Sequence, residues 1–251
     1  MTEDEKGICR ISLVPMRCEP SDDETMVSQI LFGEHYSIIE KTDDWLKVVL
    51  NFDGSEGWIR RDQHESISVE YFEQINDSDY KVCTDLSGNI FFKKKHVNIL
   101  LGSVLPISTN ELFKIEEQVA FNGASKSLNQ KREFEFFKTI VSKYMYSPYL
   151  YGGKSPFGID EGGLVQQVFK ICGYRIGRTL SDQVKHGNEV AGLPDLEPGD
   201  VVYTGVGRPN GAFIAVSEHQ FVGVYSGMVQ KIEPSYFQNN TLTIRRVMHH
   251  Q

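Results

Sequence analysis

The sequence predicts an α+β protein whose β-rich N-terminal half is followed by a segregated domain, helices first and a meandering sheet after them. Three observations carry this. Short β-rich runs alternate with turn signals as far as residue 127, helical spacing takes over after it, and four strand-like runs then follow in succession. A chain of 251 residues is long for one domain and ample for two or three small ones.

Strands are expected at 27–31, 36–40, 45–50 and 57–59, separated by FGE, KTDD and NFDGSEG. Short strands with few apolar residues each suit a small barrel within 7–66. A second β-rich module is expected over 67–127, with strands at 81–84, 90–94 and 112–115. From residue 128 the pattern changes: Phe134, Phe137, Ile140, Val141 and Tyr144 recur at helical spacing. The loop SPYLYGGKSPFGID then leads into a helix carrying Leu164, Val165, Val168 and Phe169. Strands are expected at 200–203, 212–216, 221–225 and 241–247.

Charge narrows the functional classes. A net charge of −8 and a pI near 5.4 argue against a nucleic-acid or anionic-membrane surface. The single basic run, KKKH at 93–96, reads as a solvated turn or strand face. No run approaches the ~18 apolar residues of a membrane span. The start, MTEDEKGICRISLV, is acidic where a secretory signal is basic, so the chain as given reads as cytoplasmic; a signal already removed would leave no trace. Cys9, Cys18, Cys83 and Cys172 form no CxxC or Cys/His ligand spacing, and no metal or cofactor is expected.

Specific motifs lie in the second half. PYLYGGKSPFGID, GLVQQVFKICGYRIGR and LEPGDVVY together resemble the NlpC/P60 cell-wall peptidases, papain-like cysteine enzymes that cleave peptidoglycan stem peptides. GICRISLVPMRCEPSDDETMVSQILFGE and DGSEGWI resemble the bacterial SH3-like domains attached to one branch of that family. The resemblance implies SH3-like barrel modules followed by a papain-like α+β domain over 128–251. It also implies the reaction of that branch, cleavage of the γ-D-glutamyl-to-diamino-acid bond in peptides with a free N-terminal L-Ala.

The catalytic positions depart from the pattern. The family's loop ends Asp-Cys-Ser-Gly, where a thiolate gains from the helix N-terminus and a nearby His. Here the four positions read Asp160-Glu161-Gly162-Gly163. The family's His-Val-Gly-Ile strand aligns with Gly211-Ala212-Phe213-Ile214, which puts Gly211 at the base, or Ala212 after a one-residue slip. The third polar position falls at Gly223. No other pair replaces them: Cys172 lies eleven residues past Glu161, about 16 Å along the same helix. His186 reads as a helix C-terminus and His219 as a hairpin turn. His35, His64 and His96 belong to the β-rich half, and His249 and His250 to the tail.

The expectation is therefore a degenerate active site and a chain that is not an enzyme, a pseudoenzyme that binds a muropeptide-like peptide or a protein partner. Two alternatives are altered chemistry at Glu161 and a residual γ-D-glutamyl-diamino-acid endopeptidase. The family's amine-holding positions read Gly162, Thr179, Thr25 and Ser55, with Glu24 adjacent to Thr25. Tyr149, Asp160, Arg178 and Gln183 persist, as ligand contacts or as holders of loop and helix geometry. Glu161 is expected to accept from free N–H groups of its helix and complement the dipole. On that reading Glu161→Gln costs stability near pH 7 and much less near pH 3.

Overall fold

The computed structural model describes residues 5–77, 79–92, 94–105 and 120–248. The chain divides between Gln130 and Lys131 into two units. In the first, β1 (Lys6–Ile8), β2 (Leu13–Arg17), β3 (Met26–Leu31), β4 (His35–Lys41), β5 (Trp45–Leu50), β6 (Glu56–Arg60) and β7 (Glu65–Ile67) form one antiparallel sheet. Its order is β3-β2-β6-β5-β4-β1-β7. Alternate residues of these strands, among them Val14, Met16, Ile38, Leu46, Val48 and Ile59, share one apolar core. Pro15 sits inside β2, where a missing N–H is tolerable because β2 meets β6 only at Arg17↔Trp58.

α1 (Val69–Asp77) follows, then β8 (Lys81–Cys83), β9 (Ser87–Phe92), β10 (Lys95–Leu100), β11 (Val104–Leu105), β12 (Ala120–Asn122) and β13 (Ser125–Ser127). These strands make two small sheets, β10-β9-β12 and β11-β8-β13, around Cys83, Ile90, Ile99, Leu105 and Phe32. The strand expected at 112–115 lies outside the described residues. α1 escapes sequence reading because only Phe72 and Ile75 of its nine residues are buried, too few for a visible period.

The second unit opens with α2 (Phe134–Lys143), the short hairpin β14 (Lys154–Ser155) and β15 (Gly158–Ile159), and α3 (Glu161–Ile171). After α4 (Leu180–Gln183) and β16 (Asn188–Val190) come β17 (Val201–Thr204), β18 (Gly211–Ser217), β19 (Gln220–Tyr225), β20 (Met228–Ile232) and β21 (Leu242–Arg246). They form an antiparallel sheet in the order β16-β21-β17-β18-β19-β20. Helices precede the sheet, as the α+β reading expects. α3 packs against β18 and β19, and every residue from Gly162 to Ile171 is buried. Only its first residue, Glu161, reaches the surface. β20, unforeseen in the sequence, is joined to β19 by a two-residue turn in which Ser226 and Gly227 have φ of 49° and 86°. Among the described residues no helix is long and apolar enough to cross a membrane.

Candidate functional site

The site is organised by the loop before α3. Asp160 is the N-cap of that helix and accepts from the Gly163 N–H at 2.6 Å and the Gly152 N–H at 2.8 Å. The Arg178 guanidinium donates to both carboxylate oxygens of Asp160, at 2.8 and 2.7 Å. Gln183 donates to the carbonyls of Gly162 and Gly177, at 2.8 and 2.9 Å. Asp160, Arg178 and Gln183 are all buried, and these bonds tie the α3 N-terminus to the segment before α4. Gly163 has to be small: a Cβ there would run into the Gly153 carbonyl oxygen.

With Asp160 holding the helix N–H group, Glu161 is left to face a cavity of about 380 Å³. Tyr149, Gly211, Phe213, Tyr225 and Tyr236 also line it, and among the described residues the lining contains no Lys, Arg or His. Tyr149 is held in place by its N–H, which donates to the Gly227 carbonyl at 2.8 Å. Of the four residues carried over as ligand contacts, it is the one on the cavity. Asn210 and Thr204 add polar groups to the wall. Burial pushes the Glu161 carboxyl above its ordinary range, and the nearby Asp160 charge adds to this. Its own backbone N–H and Arg178 act in the opposite direction.

That direction reverses the expectation drawn from sequence for Glu161→Gln. A carboxyl with a raised folded pKa contributes stability that is fully present below its unfolded pKa and lost as pH rises through the folded value. The uncharged Glu161→Gln variant is therefore expected to melt above wild type at pH 7 and together with it near pH 3. The sequence reading gave Glu161 the capping role that Asp160 performs. Thermal melts at the two pH values check the sign, and a lower melting temperature for Glu161→Gln at pH 7 would contradict it.

Gly211 and Gly223, which the sequence reading aligned with imidazole positions, lie beside one aromatic ring. Phe213 pairs with Gly223 across β18 and β19, and Gly211 lies two residues before it on the same strand. A Cβ on Gly211 would stand 2.6 Å from Thr204 Oγ1 and 3.2 Å from a Phe213 ring carbon. A Cβ on Gly223 would overlap Phe213 Cδ1 and lie 2.7 Å from the Ala212 carbonyl oxygen. Phe213 itself is 1% exposed and packs on Tyr236 and Phe237, with ring centroids 5.1 and 5.3 Å away. A side chain at 211 is thus opposed by Thr204 and the Phe213 ring, and one at 223 by that ring and the Ala212 carbonyl. Sequence reading missed Phe213, Tyr225 and Tyr236; the bulky Phe213 at the glycine of the His-Val-Gly-Ile pattern was the available signal.

The remaining titratable residues lie elsewhere. Cys172 is fully buried at the C-cap of α3. His219 is in the β18–β19 turn, and His186 follows α4; neither lines the cavity. Among the described residues no group of three or more His, Cys, Asp or Glu converges as metal ligands would.

Comparison with known proteins places this geometry. Residues 16–63 match the bacterial dipeptidyl-peptidase SH3 domain, and residues 146–246 match the NlpC/P60 family. A γ-D-glutamyl-L-lysine dipeptidyl-peptidase of Bacillus subtilis (strain 168) is 26% identical over 245 residues, covering 90% of this chain and 74% of that protein. Its namesake from Bacillus cereus (strain ATCC 10987 / NRS 248) is 21% identical over 201 residues, covering 70% and 59%. A solved NlpC/P60 family protein from Bacillus cereus ATCC 10987 has a TM-score of 0.82 at 18% identity, covering 96% of this chain and 99% of that one; this likeness is one of fold.

These names overturn the expectation that the chain is not an enzyme, since the relatives matched over most of its length are named as peptidases. A part-buried carboxyl with a raised pKa is itself an acid–base group.

Proposed function

We propose, for a chain that joins a bacterial SH3-like domain to an NlpC/P60 domain, that the cavity over Glu161 receives a γ-D-glutamyl peptide and that the Glu161 carboxylate is the group it meets there. The observation that carries this reading is the position of Glu161, part-buried at the N-terminus of α3 and on the wall of an open 380 Å³ cavity. An open cavity favours a ligand over a purely scaffolding role. The peptide class is suggested by the name of the Bacillus subtilis relative. A carboxylate is a poor nucleophile towards a peptide carbonyl, but it takes a proton from water or accepts from a ligand N–H.

Titration calorimetry of the full chain with L-Ala-γ-D-Glu-L-Lys tests the reading. Binding is expected with a Kd within about 1 μM–1 mM, the usual range for enzyme substrates. Glu161→Ala is expected to weaken it at least about tenfold. Absence of binding, or equal binding by the variant, overturns the proposal. Chromatography of the same samples scores lysine release, and release that disappears in Glu161→Ala identifies this carboxylate as the acting base.

A further inference from the structure

The cavity has a composition that selects among ligands by charge. Among the described residues its only carboxyl group is that of Glu161, and none of the described lining residues carries a basic side chain to neutralise it. The buried Asp160–Arg178 pair behind it adds no net charge. The α3 dipole favours an anion at this end of the helix, and Glu161 already supplies one. An incoming carboxylate would meet like charge, whereas an incoming cation would meet its counter-charge.

The rest of the wall is aromatic. Tyr225 and Tyr236 stand edge to face, with ring centroids 5.3 Å apart, and Tyr236 in turn leans on Phe213. Tyr149 and Tyr225 are 43% and 47% exposed, so their rings are open to a ligand. Burial, then the charges of Glu161 and Asp160, push the Tyr149 phenol up; burial and Tyr225 do the same to Tyr236. Both remain neutral rings at physiological pH. Neutral aromatic faces around one carboxylate attract a cation through the ring quadrupoles and pack against the apolar carbons attached to it.

We infer that the Glu161 cavity is built for an organic ammonium group, with the Glu161 carboxylate as counter-charge and Tyr149, Tyr225 and Tyr236 as its walls. The inference rests on the cavity being the ligand site proposed above, and it names the part of the ligand that the cavity reads. On this assignment a γ-glutamyl peptide enters with an amine, of its N-terminus or of its diamino acid, against Glu161. The box needs neither a thiol nor an imidazole to do this.

The test uses n-pentylammonium chloride and 1-pentanol on the full chain, followed by NMR titration or calorimetry. Pentylammonium is expected to bind in competition with L-Ala-γ-D-Glu-L-Lys, and pentanol not to bind. Glu161→Gln is expected to weaken pentylammonium at least about tenfold, and Tyr225→Leu by about two- to fivefold. Equal binding of the alcohol and the ammonium, or unchanged binding in Glu161→Gln, overturns the inference. A doubly acetylated peptide that binds as well as the free one also overturns it, while leaving the peptide reading intact. Binding of pentylammonium without any binding of the peptide supports the ammonium box and removes the peptide reading.

Discussion

Asp160→Ala is expected to destabilise the second unit by about 3–5 kcal/mol, the cost of removing one partner from a buried ion pair. Asp160 is 8% exposed and Arg178 5%, so the guanidinium left behind has little access to water. The substitution also removes the acceptor for the N–H groups of Gly152 and Gly163, and with it the cap of α3. Those losses share one carboxylate and are not additive. The melting temperature is expected to fall by about 10 °C or more, given the usual few degrees per kcal/mol for a unit of this size. Asp160→Asn keeps an acceptor for the backbone but loses the charge facing Arg178, and it is expected to fall between wild type and Ala. A melt within about 2–3 °C of wild type for Asp160→Ala, worth less than one kcal/mol at that scale, would show that the pair is not structural.

The second large effect concerns thiol chemistry. Glu161→Cys places a thiol at the start of α3, but no base lies opposite it, since position 211 is glycine and Phe213 covers the space. Adding Gly211→His alone is expected to fail, because the new Cβ meets Thr204 and the Phe213 ring. Adding Gly211→His together with Phe213→Gly clears the ring and leaves only the Thr204 hydroxyl, a rotatable side-chain group, to give way. This triple variant is expected to cleave L-Ala-γ-D-Glu-L-Lys about 10²–10⁴ times faster than Glu161→Cys, the usual contribution of a positioned base. The gain should be abolished by iodoacetamide, which separates it from any turnover through a carboxylate. Equal rates for the single and triple variants would mean that Phe213 does not occupy the base position. Phe213→Gly also removes a buried aromatic worth about 3–5 kcal/mol, so the comparison is best made well below the melting temperature.

Much of the fold was legible because its strands are short apolar runs bounded by turn residues. Most of β5 alternates between buried and partly buried residues, and α2 and α3 carry apolar residues at helical spacing. The failures have local causes. Pro15 disguises β2, α1 buries only two residues, and Ser226-Gly227 makes a hairpin turn without the Asn-Gly or Asp-Gly signal. At the site, the glycine-rich approach and the apolar helix α3 that follows it were readable residue by residue. Which carboxylate would cap the helix was not. Asp160 and Glu161 are adjacent, and only the position of Arg178 decides that the first is tied down and the second left facing the cavity. The aromatic wall was equally hidden, since Tyr149, Tyr225 and Tyr236 come from three separate segments.

The packing of Phe213 over Gly211 and Gly223 also governs how this sequence can change over generations. Each substitution is compatible only with the others: a histidine at either glycine meets the ring, and a glycine at 213 empties part of the core shared with Phe221 and Phe237. Every single step towards an imidazole is therefore penalised, and removing the ring relieves only part of the crowding, since Thr204 Oγ1 still stands beside 211 and the Ala212 carbonyl beside 223. Such strong epistasis acts as a ratchet. Descendants of this chain are expected to drift in the cavity wall, at Tyr225, Asn210 or Thr204, far more readily than they gain a histidine at 211 or 223. A deep mutational scan of β18 and β19 would reveal it, as histidine tolerated at 211 or 223 only on backgrounds where 213 is already small.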